Sequence, residues 1–193
     1  AVLGEAIPPG GWAVILPRVG QYVLEGQPLV AAGPANAVDD EVVSRVQQAF
    51  VVGPERTMTQ DAMFGIRQLA DIALRALSPG INDPTTAEHA ISVLSDALRR
   101  LGNRELPSRC RVVEREDDEL PVTIWANRPS FDEFVEEAYG QIIHAAADSP
   151  HVLRYLITTL GSVASQVPVE CRDALYGRID RAAASLKAIE TPG

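Results

Sequence analysis

The sequence predicts an α+β fold that is mainly α, a helical bundle with a small N-terminal β subdomain and a β-hairpin. Three observations predict it. Glycine and proline punctuate the first thirty residues into short extended pieces. Apolar residues recur at helical spacing, with capping residues in place, through most of 57–189. Between those helices, 110–114 and 120–126 alternate or are β-branched, and the acidic stretch Glu114–Glu119 joins them as a hairpin tip. The expected division is 1–54 for the β-rich part with one short helix, and 55–193 for the bundle with its hairpin.

In the N-terminal part, Trp12–Leu16, Gln21–Leu24 and Pro28–Ala31 read as strands between Pro8, Gly10, Pro17, Gly20 and Gly26. The phrase VGQYVLEGQPLV is similar to the half-motif of small barrel-sandwich folds that carry lipoyl or biotinyl groups. Attachment of such a group requires a hairpin lysine, and Lys187 is the only lysine in the chain, so a plain β subdomain is the reading kept. Val42, Val43, Val46 and Phe50 then follow helical spacing behind acidic residues that suit a helix start.

The next helix is expected over Thr57–Leu77, opened by a capping box of Thr57 and Gln60 with Asp61 in the first turn. Its apolar stripe is Ile66, Leu69, Ala70, Ala73 and Leu77. Ser78-Pro79-Gly80 ends it, because proline lacks a donor and glycine permits a left-handed cap. Asp83 as N-cap and Pro84 at the first helical position start another, which Gly102-Asn103 closes. Ser130 caps a helix with Phe134, Val135, Ala138, Ile142 and Ala145 inward. Ser149-Pro150 begins a helix to about Val167, and Pro168–Ile189 forms the last, with Leu175, Ile179, Ala182, Ala183 and Leu186 inward.

Composition bounds the function. With 46% hydrophobic and 22% charged residues over 193 positions, the chain is globular. A net charge of -9 argues against nucleic acid or an anionic membrane surface as a partner. Cys110 and Cys171 stand far apart without metal spacing, which fits a reducing compartment. No apolar run is long enough to span a bilayer. The chain starts Ala1-Val2-Leu3 and reads as a piece of something longer. No nucleotide-binding glycine loop, nucleophile elbow or HExxH motif is present, so no catalytic residue or cofactor is assigned.

The candidate ligand-binding residues are Arg56, Asp61, Arg67, Asp71, Arg75, Asn82 and Asp83. Arg67, Asp71 and Arg75 fall at successive i, i+4 positions and so share one helix edge. Arg56, Asn82 and Asp83 would join it if the two helices fold back on each other. Such arginines can hold a carboxylate or phosphate in bidentate fashion. The plainer reading, and the one favoured, is a salt-bridge network that fixes helix packing; breaking it as a buried network by Arg67→Ala would cost about 3–5 kcal/mol. Backbone amides beyond Asp83 could receive an anion, but Asp83 itself occupies that position as a cap. His144, Asp148 and His151 have helical spacing that would suit a metal, but Ser149-Pro150 interrupts the shared face, and no metal site is expected.

The stretch RTMTQDAMFGIRQLADIALRALSPGINDPTTA, Arg56–Ala87, resembles the core motif of a bacterial family of predicted membrane proteins, Domain of Unknown Function 2254. In that family several transmembrane helices precede a soluble part that opens with a glycine-rich β segment like VGQYVLEGQPL. The resemblance implies that this chain is most or all of that soluble C-terminal part, tethered to the inner membrane on the cytoplasmic side. It implies no reaction, ligand or catalytic residue. The expected function is therefore a non-enzymatic regulatory or assembly domain of a multi-pass, channel- or transporter-like protein, forming a homo-oligomer. The rival expectation is a small-ligand or enzymatic domain using the seven residues above.

Overall fold

The computed structural model describes residues 2–59, 61–115 and 120–190. Its elements are α1 (Val2–Ala6), β1 (Trp12–Ile15), β2 (Val30–Gly33), a 3-10 turn (Ala35–Ala37) and α2 (Asp40–Gln48). There follow α3 (Ala62–Ala76), α4 (Pro84–Gly102), β3 (Cys110–Val113), β4 (Val122–Ala126), α5 (Phe131–Ala145), α6 (Pro150–Ser165) and α7 (Val169–Glu190). The chain is mainly α with a small mixed sheet. It divides into two compact units, Ala1–Gln60 with Pro107–Arg128, and Asp61–Leu106 with Pro129–Gly193.

The first unit is built on a four-stranded sheet of order β2-β1-β4-β3. The hairpin that sequence spacing groups with the helices is thus hydrogen-bonded to the N-terminal strands, because a two-stranded ribbon is marginal alone and β1 offers it an edge. β1 pairs antiparallel with β2 and parallel with β4. The register sets two cross-sheet rows on one face: Gly33, Trp12, Thr123 and Val112, then Ala31, Val14, Trp125 and Cys110. The opposite face supplies the core, Ala13 and Val122 with Ile7 beyond α1, against which Val30, Ala32, Val46 and Ile124 pack. A Cβ on Gly33 would lie 2.7 Å from three atoms of the Trp12 indole, so glycine is what lets that ring lie across β2.

Two expectations for this unit fail for local reasons. Gln21–Leu24 forms no strand: Arg18 N-H donates to Gln21 Oε1 at 3.0 Å and Leu24 N-H to Gln27 Oε1 at 3.1 Å, so two glutamine-closed turns take the place of a ladder. Val43 is exposed, since only Val42 of α2 is buried. The α2 start agrees with its acidic residues, Asp39 accepting from Val42 N-H at 2.9 Å. Arg45 and Arg115 donate to the carbonyls of Glu5 and Ile7 and so hold the end of α1, a helix the sequence does not signal. Of the acidic tip, 116–119 lie outside the described residues.

The second unit is a five-helix bundle. α3 packs on α4 and α5, α4 on α6, α6 on α7 and α5 on α7. Ile66, Ala70 and Ala73 of α3 are buried with Leu94 and Leu98 of α4, Val135 and Ile142 of α5, and Leu156 and Leu160 of α6. Ser130 and Glu133 form a full capping box at α5, while Pro84 and Pro150 occupy first-turn positions. Buried Tyr139 shares a hydrogen bond with Ser95 at 2.7 Å, and its burial pushes the phenol above its ordinary value. α3 begins at Ala62, later than the Thr57 expectation, because Asp61 is the N-cap; Gln60 of the expected box lies outside the described residues. Ala145 and Ala183 face outward, and Ala146 takes the buried position at the end of α5.

Candidate functional site

Of the seven candidate residues, Arg56 and Asp61 precede α3, Arg67, Asp71 and Arg75 lie along it, and Asn82 and Asp83 belong to the corner after it. Arg56 lies in the first unit and is exposed. Asp61 is buried and accepts from Phe64 N-H at 3.1 Å, which assigns it to capping α3. Arg67 meets Asp71 at 2.9 Å one turn on, and reaches across to Glu137 of α5 at 3.3 Å. Arg75, the next step of the ladder, is exposed. At 1.5 Å of rise per residue, Arg67 stands roughly 15 Å along the axis from the end of α3. The ionic pairs therefore tie α3 to α5 and do not gather at the α3–α4 corner.

That corner is a separate construction. Ile81 and Asn82 N-H both donate to Ser78 O, at 3.0 and 2.9 Å, and Asp83 N-H donates to Ala76 O at 2.8 Å. Asn82 adopts φ 47, a left-handed conformation in which asparagine is among the tolerated side chains. Asp83 then accepts from Thr86 N-H at 3.1 Å and from Thr86 Oγ1 at 2.5 Å. The Thr86 hydroxyl, then its amide, hold the Asp83 carboxyl below its usual range. The signature SPGINDPTT is thus a helix-to-helix turn closed by backbone hydrogen bonds and by the Asp83–Thr86 cap.

Glu137, the partner of Arg67, is a residue that sequence reasoning missed, and so is a second network on the other side of α5. Arg178 of α7 bridges Asp132 and Glu136 at 2.8 and 2.9 Å, and Arg181 adds a contact to Glu136 at 2.8 Å. The acidic residues on the α5 surface were the available signal, but their partners lie on helices remote in sequence. His144 and His151 are exposed and sit on different helices, with His151 3.9 Å from Glu88. Among the described residues no group of three or more His, Cys, Asp or Glu side chains is placed to hold a metal ion. An open groove of about 280 Å³ in the first unit is lined by Glu5, Asp39, Glu41, Arg45 and Arg115 among others. Its arginines already hold the α1 carbonyls and Asp39 already caps α2.

Comparison with known proteins locates the chain. The sequence profile of a family described as predicted membrane protein, DUF2254, matches residues 6–162. The chain belongs to this family. Similar proteins are uncharacterised proteins of Mycobacterium bovis and of two strains of Mycobacterium tuberculosis, each 36% identical over 156 residues. The aligned region is 79% of this chain and 29% of each relative, so the DUF2254 chain described here corresponds to less than a third of those proteins. No solved structure matches it. Among its described residues no helix is long and apolar enough to cross a membrane.

Proposed function

We propose that this chain is an extramembrane part of a membrane-anchored protein, on the cytoplasmic side of the inner membrane, acting as a non-enzymatic regulatory or assembly module that associates with copies of itself. The observation that carries the reading is the family's description as membrane proteins, set beside relatives of which the chain matches 29%. The remaining length of those relatives is where the membrane segments belong in this reading. The polar groups of the signature support it: Asp61 and Asp83 cap helices, and Arg67 pairs with Asp71 and with Glu137 of α5.

The test uses the full-length Mycobacterium tuberculosis relative, carrying an epitope tag after the region matching this chain. The expected result is a carbonate-resistant membrane pellet with the tag protected from protease in intact spheroplasts and cleaved after lysis. Recovery in the soluble fraction, or cleavage in intact spheroplasts, would overturn the placement.

A further inference from the structure

Charge in the first unit is segregated along its strands. β1 and β4 run parallel and finish side by side at Ile15 and Ala126, and β3 starts beside them at Cys110. Around that end stand Arg18, Arg109, Arg111 and Arg128, all of them exposed. Arg18 Nε donates to Asn127 Oδ1 at 3.1 Å and Arg109 Nε to the Arg128 carbonyl at 2.9 Å, so the loop after β1, the exit of β4 and the start of β3 are tied together. Carboxylates gather at the opposite end, where Glu5, Asp39 and Glu41 line the groove with Pro8, Pro9 and Arg115, and Glu114 follows β3.

The arginine end also presents apolar side chains. Residues 16–29 join β1 to β2 there. Two turns give this loop a fixed course, since Gln21 N-H donates to Arg18 O at 3.1 Å and Gln27 N-H to Leu24 O at 3.0 Å, each beside the glutamine side-chain bond described above. On and between these turns Val19 is 61% exposed, Tyr22 84% and Leu24 66%. An ordered loop that holds such side chains in water over a base of arginines has the two components of an interfacial membrane contact: apolar area to sink among the headgroups, and cations for the phosphates. Tyrosine is enriched at that depth.

We propose that this end of the first unit lies on the bilayer, with Val19, Tyr22 and Leu24 entering the headgroup region of an anionic leaflet while Arg18, Arg109, Arg111 and Arg128 face its phosphates; the proposal rests on the membrane-anchored reading above, which supplies the bilayer. The net charge of -9, taken as an average, speaks against an anionic surface. Segregation reverses that locally. The four residues of β3 span roughly 13 Å, more than the Debye length of about 8 Å at physiological salt, so the carboxylates beyond its far end are screened where the arginines act. The loop itself carries one carboxylate, Glu25, which offsets one of the four arginines. An apolar protein surface would leave these cations unpaired, and nucleic acid would leave Val19 and Leu24 in water. A bilayer uses both.

Each basic residue close to an anionic leaflet is worth roughly fivefold in binding, so removing two should weaken it about 25-fold. The experiment is co-sedimentation of the purified chain with phosphatidylglycerol vesicles and, separately, phosphatidylcholine vesicles, in low and high salt. It compares the natural sequence, the double variant Arg111→Gln with Arg128→Gln, and Leu24→Ser; all three positions are exposed, and circular dichroism confirms folding. The expected result is pelleting with phosphatidylglycerol alone, reversed by high salt, with affinity about 25-fold lower in the double variant and about fivefold lower in Leu24→Ser. No pelleting at millimolar phosphatidylglycerol, equal pelleting with phosphatidylcholine, or an affinity unchanged in either variant would overturn the proposal. Self-association without vesicles that the double variant abolishes, together with no vesicle binding, would assign the surface to a second copy and overturn it as well. A protease-protected tag in spheroplasts with no vesicle binding removes this surface and leaves the placement standing; vesicle binding with a cleaved tag removes the placement and leaves the surface standing.

Discussion

At the scale of single residues, exposure decides what each arginine contributes. The Arg67 side chain is 36% exposed, so its pairs with Asp71 and Glu137 are surface pairs in water rather than the buried network that its position in the signature suggests. Arg67→Ala is expected to cost no more than about 1 kcal/mol, well below the figure for a buried pair. Arg178 is only 12% exposed, and its stem is packed while its guanidinium spans Asp132 and Glu136. Arg178→Ala is expected to cost about 1–3 kcal/mol through lost packing and hydrogen bonds. Urea unfolding of the two variants side by side checks the order; equal losses would refute the exposure argument. The i, i+4 spacing of Arg67 and Asp71 was legible in the sequence because it is local. Glu137 was not, since nothing within α3 says which helix its arginine will face.

At the scale of elements, what the sequence showed best were helices whose ends are written in adjacent residues. Asp83-Pro84 and Ser130 with Glu133 mark their helices within a residue of the observed starts. The misplaced start at Thr57 came from reading one plausible cap while a better one, Asp61, stood four residues on. Strands were less legible because pairing partners are distant: β2 lies at Val30–Gly33, and 21–24 lies between two turns, Arg18–Gln21 and Leu24–Gln27, each closed by a glutamine side chain that accepts from the turn's first N-H. The α4 cap also carries a pH prediction. Thr86 lowers the Asp83 carboxyl in the folded state, so its contribution to stability is present above the ordinary value of 3.8 and is lost as pH falls through the lowered folded value. Asp83→Asn keeps a good N-cap but cannot titrate. Thermal midpoints taken from pH 5 down to pH 2.5 should fall less steeply in that variant than in the natural chain; parallel curves would remove Asp83 from the acid transition.

At the scale of the whole molecule, the first unit is assembled from two segments separated by α3 and α4. Removing residues 1–60 therefore does not free a clean bundle. It strips β1 from β4 and uncovers Val122 and Ile124, which pack in the small core. That truncation is expected to aggregate, while the same truncation with 107–128 replaced by a flexible linker should stay dispersed and melt cooperatively, as gel filtration and calorimetry would show. A dispersed, unaggregated 61–193 chain would contradict this. The parallel pairing of β1 with β4 also imposes a timetable during synthesis. β1 leaves the ribosome on the order of a hundred residues before its partner, a wait of roughly 5–20 s at about 5–20 residues per second. Throughout that interval the nascent strand carries an open hydrogen-bonding edge, and neighbouring polypeptides emerging from the same message compete for it.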